Sequence, residues 1–440
     1  MKRAVAIFLT VLCALLCGCS ALSLEEEDIL AVPDASGDES EIISLIAQNF
    51  SSPFELVYPL TGENKNAVTI CNTGKGEEAV AVFREKNDPG VIQILFAEKD
   101  RDSYTYLGSS SIPTSVIDRV DFADLDGDSK KEVLVGYQGA SSPLRSLAIY
   151  RTEEEISVTD TAACYTKLVL GDFNSDSAEE VLCLTESRQG EPPLSTLMGY
   201  HPQKGLLSIS SCALSFDGAS IENLIFGEIA ENLKGAVIDE KLQSGEYVTE
   251  ALYYSKEQKL LSNPLFLFSA AQDTKRELRL LSKDIDADGI IEIPTVEEAT
   301  APSDDDKDLY CDLVVYKSLD FSAYSLKEKK TAVICPEGDY TFTLPDEKKN
   351  ALTAKYDESE RTMSICLLDF EKGNPVLSGE LFYIKTYQKE NYSENRVIEA
   401  KLCESPSNVY TFLIKETQGA YAFSDTEIEK SFEILGASSK

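Results

Sequence analysis

The sequence predicts a mainly β protein, in which a β-propeller-like repeat domain of about five blades precedes a small α+β domain. Three observations predict this fold. An acidic nine-residue pattern recurs along the chain, short apolar or alternating runs lie between turn residues from about Phe54 to Cys335, and the acidic pattern does not recur after Pro336. Several short strands per repeat are typical of a propeller or a solenoid, and five repeats of about four strands each favour the propeller.

The clearest copy of the acidic pattern lies between Asp121 and Gly136, which reads DFADLDGDSKKEVLVG. Ca²⁺ binds about six to eight oxygen atoms, so a loop that holds it must supply carboxylates from alternate positions and a backbone carbonyl. The predicted ligands at positions 1, 3, 5, 7 and 9 are Asp124, Asp126, Asp128, the carbonyl of Lys130, and Glu132. The loop is shorter than an EF-hand loop and no helix pattern flanks it, so an EF-hand is excluded.

Two further copies keep the same register and are each followed by an apolar run. Their predicted ligands are Asp172, Asn174, Asp176, the carbonyl of Ala178 and Glu180 in one, and Asp284, Asp286, Asp288, the carbonyl of Ile290 and Glu292 in the other. Asn174 replaces a carboxylate, so we expect weaker Ca²⁺ binding at that loop. Acidic turns also occur in ordinary hairpins, which is the alternative interpretation of a single copy.

Two weaker copies, near Gly74 and Glu228, keep the frame but lose the ligands. The ninth positions of the five copies are residues 78, 132, 180, 236 and 292. This period of about fifty residues indicates a repeat architecture.

The run from Phe122 to Gly136 resembles the FG-GAP/VCBS-type repeat of integrin-like β-propellers, in which a nine-residue loop binds Ca²⁺ within each blade. The chain also resembles a group of clostridial-type lipoproteins that carry such repeats ahead of a C-terminal domain. The resemblance covers about residues 60 to 330. It implies a propeller fold and Ca²⁺ as the cofactor, and it implies no particular activity.

The N-terminus predicts a lipid anchor. Lys2 and Arg3 precede an apolar run from Ala4 to Leu16 that is short for a membrane span. The following residues, up to Cys19, resemble a bacterial lipobox. We therefore expect a signal peptide at 1–18, acyl chains such as palmitate on Cys19, an acidic tether at 19–45, and a location on the extracytoplasmic face of the cell membrane. An ordinary signal peptide is the alternative.

The net charge of −35, from 76 acidic and 41 basic residues, argues against nucleic acid as a partner, because binding phosphates requires clustered Lys and Arg. His201 is the only histidine, which argues against a Ser-His-Asp hydrolase and a His-rich metal site. Eight cysteines lie beyond the signal region without a CxxC or zinc spacing. We expect buried free thiols, with disulfide pairing as the alternative.

The predicted domains are the repeat domain at 46–335 and the α+β domain at 336–440. The second ends in a predicted helix that is capped by Ser424 and Glu427 and has Ile428, Phe432 and Leu435 on one face. By fold analogy, the predicted function is a binding or adhesion module for a cell-wall polymer, a carbohydrate or an exported protein. A propeller-type glycoside hydrolase is one alternative, since such enzymes use paired carboxylates. A structural assembly subunit is another. We expect no catalytic residues.

Overall fold

The computed structural model describes residues 37–139, 142–152, 156–186, 193–216, 218–302, 309–371, 373–394 and 398–435. The predicted signal peptide, the lipidation site Cys19 and most of the predicted tether lie outside these residues. The described chain is mainly β and forms several antiparallel sheets. No helix within it is both long and apolar enough to cross a membrane.

The chain divides into two compact units. The first holds the described residues up to Val120 together with Thr152–Ser157, and the second holds Asp121–Arg151 and the chain from Val158 onward.

The first unit opens with helix α1, Gly37–Asn49. Ile42 and Ile46 lie one turn apart and are fully buried, as expected of an amphipathic helix. Residues 37–45, which the sequence assigns to the tether, are therefore helical. The strands of this unit's five-stranded sheet are β1 (Phe54–Leu56), β2 (Val68–Asn72), β3 (Glu77–Glu85), β4 (Ile92–Asp100) and β5 (Ser103–Ile112).

Three four-stranded sheets follow, and in each the strands are hydrogen-bonded in sequence order. The first contains β6 (Ile117–Ala123), β7 (Glu132–Gln138), β8 (Arg145–Thr152) and β9 (Ile156–Tyr165). The second contains β10 (Lys167–Gly171), β11 (Glu180–Thr185), β12 (Leu194–His201) and β13 (Gly205–Ala213). The third contains β14 (Gly218–Ala230), β15 (Leu233–Leu242), β16 (Tyr247–Ser255) and β17 (Leu260–Ser262), followed by the short helix α2 (Pro264–Leu267).

Two five-stranded sheets complete the second unit. Their strands, in chain order, are β18 (Ile293–Glu297), β19 (Leu313–Asp320), β20 (Ser325–Cys335), β21 (Tyr340–Leu344), β22 (Leu352–Asp357), β23 (Thr362–Glu371), β24 (Asn374–Gln388), β25 (Ala400–Glu404), β26 (Asn408–Ile414) and, after helix α3 (Asp425–Ser431), β27 (Phe432–Ile434). One sheet has the order β18-β19-β20-β21-β27 and the other β22-β23-β24-β26-β25.

The predicted domain boundary after residue 335 falls between two paired strands, because Cys335 at the end of β20 pairs with Tyr340 at the start of β21. One buried cluster joins side chains from both sides of this position. The capping box predicted for α3 is confirmed, since the Ser424 hydroxyl accepts from the Glu427 N–H and Glu427 accepts from the Ser424 N–H.

The sequence pattern extends helix α3 to Phe432 and Leu435, and this part of the prediction is wrong. The helix ends at Ser431, and Phe432 begins β27, which pairs with β21. The Phe432 ring packs 4.8 Å from that of Tyr340 and 5.1 Å from that of Tyr410, measured between centroids. Tertiary packing of the aromatic side chain outweighs the local helical spacing.

Candidate metal centres

The three acidic loops lie at equivalent places in the fold. The loop at 124 joins β6 to β7, the loop at 172 joins β10 to β11, and the loop at 284 precedes β18. The ninth-position glutamate begins the second strand in the first two loops, and in the third Glu292 bridges to Lys283 across the loop. The predicted register is therefore the register of the structure.

The three loops share one backbone conformation. Positions 4 and 6 have positive φ in every loop, namely Gly127 and Ser129, Ser175 and Ser177, and Ala287 and Gly289. Residues other than glycine adopt this left-handed conformation at a cost, so it persists where surrounding contacts hold it. Two left-handed residues in a short loop curl the chain around its acidic side chains.

Hydrogen bonds from backbone N–H groups orient the carboxylates. In the loop at 284, Asp284 accepts from Asp288 at 3.2 Å and from Gly289 at 2.9 Å, and Glu292 accepts from Ile285 at 3.0 Å. The same pattern recurs at Asp172 and Glu180. It also recurs at Asp124 and Glu132, except that Gly127 at position 4 donates to Asp124 in place of position 5. Positions 1 and 9 are thus fixed by the loop's own backbone, as a preformed cation site requires.

Two of the loops bring three carboxylates together. Asp284, Asp286 and Glu292 each offer an oxygen within 4.8 Å of the others, and Asp124, Asp126 and Glu132 do the same. Position 5 is not part of either cluster. Asp128, Asp176 and Asp288 instead accept from the N–H of position 7, that is, of Lys130, Ala178 and Ile290.

The loop at 284 fits a bound cation best. Glu292 is fully buried, and its Oε1 has no hydrogen-bond partner among the described residues, nor does the buried Oδ1 of Asp286. Burial raises the pKa of Glu292 to about 7, since the charged form is poorly solvated. Buried carboxylate oxygens without partners are rare and costly, and a hard cation such as Ca²⁺ satisfies both.

In the loop at 124, a positively charged side chain of the protein already lies beside the carboxylates. The Arg151 guanidinium lies 3.4 Å from Asp126 Oδ2 and 3.6 Å from Glu132 Oε1. Burial still raises the pKa of Glu132 to about 7. A metal ion here would share its carboxylates with the arginine, which the sequence pattern does not reveal.

In the loop at 172, the asparagine side chain is hydrogen-bonded to one of the predicted metal ligands. Asn174 Nδ2 donates to Glu180 Oε1, while the buried Asn174 Oδ1 has no partner among the described residues. Burial raises the pKa of Glu180 to about 7. The amide therefore replaces part of the charge neutralisation that a cation would supply, and the weaker binding expected from the sequence stays a prediction.

Two pairs of these segments contact each other in the same way. The position-8 N–H of Glu179 donates to the carbonyl of Asp124, position 1 of the loop at 124, at 2.8 Å. The position-8 N–H of Ile291 donates to the carbonyl of Glu228, position 1 of the weaker copy, also at 2.8 Å. The loops at 172 and 284 are thus each linked to an earlier segment of the same pattern.

The two weaker copies form no three-carboxylate group within the described part of the chain. Near Gly74 the loop closes as a tight turn, and the buried ninth-position Glu78 accepts from the Thr152 hydroxyl at 2.8 Å. Near Glu228 the strands β14 and β15 continue to pair as far as Ala230 and Leu233.

A cleft of about 1240 Å³ lies in the second unit, away from the acidic loops. Its lining includes Tyr310 and Tyr356 together with Asp312, Glu337 and Glu380. The sequence pattern gives no sign of this group, because its members come from separate stretches that the two five-stranded sheets bring together. Tyrosines beside carboxylates outside the loops are the feature that the glycoside hydrolase alternative requires.

No protein-family model matches the chain, and no curated protein matches it. Among solved structures, an exotype rhamnogalacturonan lyase, YesX, is similar over 74% of this chain and 83% of its own, with 9% identity and a TM-score of 0.30. A putative 6-phosphogluconolactonase from Bacteroides uniformis is similar over 72% of this chain and 86% of its own, with 14% identity and a TM-score of 0.29. TM-scores this low do not establish a shared fold or activity.

Proposed function

We propose that the chain is a membrane-anchored surface lipoprotein whose repeats form a Ca²⁺-stabilised β-propeller of the FG-GAP/VCBS type, acting as a binding or adhesion module. The observation that carries the calcium part is the pair of buried, unpartnered oxygens on Asp286 and Glu292 within one carboxylate cluster. The in-order four-stranded sheets support the blades.

Asp284, Asp286 and Glu292 would hold Ca²⁺ at one site, and Asp124, Asp126 and Glu132 at another. When bound, Ca²⁺ neutralises carboxylates that otherwise repel one another. The chain's own N–H groups hold positions 1 and 9 in place beforehand. Because Ile291 in the same loop donates to Glu228, fixing the loop also fixes the contact with the preceding repeat. In this proposal Ca²⁺ therefore has a structural role and stabilises the fold of the binding module.

The proposed lipid anchor and the net charge of the chain determine where the module lies relative to the membrane. In this proposal Cys19 carries the acyl chains, which hold the protein firmly because more than one chain inserts. The net charge of −35 repels an anionic membrane surface and keeps the folded part away from it. The partner is then a cell-wall polymer, a carbohydrate or another exported protein.

Thermal unfolding of the chain from Ser20 onward, in Ca²⁺ and in EDTA, tests the calcium part. A ligand that binds the folded state alone stabilises it by mass action, so we expect chelation to lower the melting temperature and titration calorimetry to detect two to three sites. Mg²⁺ at the same concentration is the control for charge screening. An unchanged melt without binding heat would overturn calcium as a cofactor and leave the loops as ordinary turns.

Lipid anchoring has its own test. The full chain should partition into detergent and carry acyl chains on its N-terminal peptide, while Cys19→Ala should abolish both. A full chain that stays in the aqueous phase with an unmodified N-terminal peptide would overturn the anchor and leave the calcium result intact.

A propeller-type glycoside hydrolase is the second candidate, favoured by the cleft with Tyr310 and Tyr356 beside carboxylates. Release of reducing ends from cell-wall polysaccharides, abolished by Asp312→Asn or Glu337→Gln, would establish it. Polysaccharide binding without hydrolysis would favour the binding module instead.

A further inference from the structure

Cys311 and Cys335 face each other across two antiparallel strands. Both are buried, with 7% and 0% of their surface exposed. Strands β19 and β20 pair Leu313 with Val333. One residue further out, the Ile334 N–H donates to the Asp312 carbonyl at 2.9 Å. The next opposed pair in this register is Cys311 and Cys335.

This pair occupies a position suited to a cross-strand bond. Because Asp312 and Ile334 are joined by a backbone hydrogen bond, the two cysteines fall at the adjacent, non-hydrogen-bonded position, where opposed Cα atoms lie about 4.5 Å apart. Disulfides span Cα separations of about 4.4–6.8 Å. Side chains at opposed positions also project from the same face of the sheet, so the two sulfur atoms point the same way.

The surroundings of the two thiols differ. Cys311 lines the cleft, whereas Cys335 is enclosed beside Tyr340 and Gly338. Hydrogen bonds from the Cys311 thiol and the Gly338 N–H lower the pKa of Cys335, although its burial acts in the opposite direction. The same thiol–thiol contact, with burial, raises the pKa of Cys311. The thiolate is the form that reacts with disulfides.

We propose that Cys311 and Cys335 form a disulfide after the chain leaves the cytoplasm. This inference rests on the proposed export, since disulfides persist in oxidising compartments. One thiolate attacks an external disulfide, low-molecular-weight or protein-borne, and releases one thiol. The second cysteine then displaces the other thiol. Two cysteine thiols and one external disulfide give the Cys311–Cys335 bond and two external thiols, so atoms and electrons balance.

The bond would fix one wall of the cleft. The Cys311 N–H donates to the Ala354 carbonyl of β22 at 3.0 Å, and the neighbouring Asp312 carbonyl accepts from β20. The segment that carries Tyr310 and Asp312 is therefore held against both five-stranded sheets. The disulfide makes its attachment to β20 covalent and so holds these two cleft residues in place.

Peptide mapping tests the pairing directly. The chain from Ser20 onward is incubated folded with oxidised glutathione, alkylated and digested with trypsin. We expect peptides 308–317 and 331–348 to be linked, with the loss of two free thiols. Cys366→Ser, which changes another buried cysteine of the same cleft, should keep the link, and Cys311→Ser should abolish it. Complete alkylation of both cysteines after oxidation, or a link to another cysteine, would overturn the proposal.

A melt of the wild-type chain gives a second readout that does not depend on any variant folding. The oxidised form should unfold a few degrees above the reduced form, because a cross-link restricts the unfolded chain. Identical melts despite a mapped link would overturn the stabilising role. A separate measurement distinguishes this proposal from the proposed export. The protein is alkylated at the moment the cells are opened, so that its thiols are recorded as they were in the cell. If both cysteines are free in that sample but become linked in vitro, the export is contradicted and the pairing is not.

Discussion

The acidic loop at 284–292 and the hairpin at 228–236 align to the same nine-residue sequence pattern, yet they are built differently. In the loop, three carboxylates converge within 4.8 Å and the ninth position is the buried Glu292. In the hairpin, Ala236 fills the ninth position and strands β14 and β15 pair up to Ala230 and Leu233. Only Glu231 and Asn232 remain as the turn.

The difference shows what the carboxylates do. The hairpin satisfies its backbone by cross-strand pairing, and its acidic residues form no three-carboxylate group among the described residues. The loop satisfies its N–H groups with Asp284 and Glu292, and it brings three carboxylates within 4.8 Å of one another, of which Glu292 is fully buried. In the segment 228–236, the absence of the acidic ligands is therefore accompanied by closure of the chain into a hairpin. The loop should depend on a cation and the hairpin should not.

The largest expected effect comes from Glu292→Ala. The substitution leaves the half-buried Ile285 N–H without its acceptor and opens a cavity at the buried Glu292, so we expect a loss of about 2–4 kcal/mol in the free energy of unfolding. It should also remove one Ca²⁺ site. Urea unfolding in Ca²⁺ and in EDTA measures both effects.

Glu231→Ala at the exposed turn of the hairpin is the matched control. An exposed glutamate without a buried partner should change stability by about 0.5 kcal/mol or less. If the two variants lose the same stability and both retain the full calcium response, position 9 is not a ligand and the comparison fails.

The pH dependence of the metal-free chain should be the next largest effect. Burial raises the pKa of Glu132, Glu180 and Glu292 from the ordinary value of 4.5 to about 7. Between these values the folded chain binds more protons than the unfolded chain. The stability that these groups contribute is therefore complete below about pH 4.5 and is lost as the pH rises to about 7.

We therefore expect the EDTA-treated chain to melt several degrees lower at about pH 7.5 than at about pH 5.5. Saturating Ca²⁺ should reduce this fall, since bound carboxylates are ionised and metal binding releases protons. Melts over this range, with and without Ca²⁺, check it. A metal-free chain that becomes more stable with rising pH would contradict the raised pKa values of these buried carboxylates.

Asn174→Asp restores the missing carboxylate of the loop at 172. It removes the amide that donates to Glu180, so the metal-free chain should be less stable, while Ca²⁺ binding at this loop should tighten by about tenfold. Asn232→Asp in the hairpin is the control, since Asp also tolerates the left-handed backbone there. Calorimetry should find a stronger site in the first variant alone. Equal titrations for both would show that loop 172 is no metal site.

Local features of the molecule could be predicted from the sequence. The strands that follow the acidic loops, the convergence of positions 1, 3 and 9 in the loops at 124 and 284, and the capping box at Ser424 all follow from residues close together in the chain. Each depends on backbone geometry over a single turn.

Features that depend on sheet register could not be predicted. Arg151 reaches Glu132 because β7 and β8 pair Val133 with Tyr150, which places residue 151 beside residue 132. Phe432 leaves the helical pattern because of aromatic rings far away in the sequence. The cleft and the opposed cysteines likewise arise where separate strands meet.

The smallest expected effect concerns position 5 of the loop at 284. Lys329 contacts Asp288, and a partly exposed ion pair of this kind contributes about 0.2–1 kcal/mol. If Asp288 turns to a bound cation, Lys329→Ala should raise Ca²⁺ affinity a few-fold, because a competing charge is gone. Lys330→Ala, next in the chain and paired with Asp346 at 3.4 Å, should leave the affinity unchanged. Equal titrations for both variants would confine the ligands to positions 1, 3 and 9, the three carboxylates that the fold already brings together.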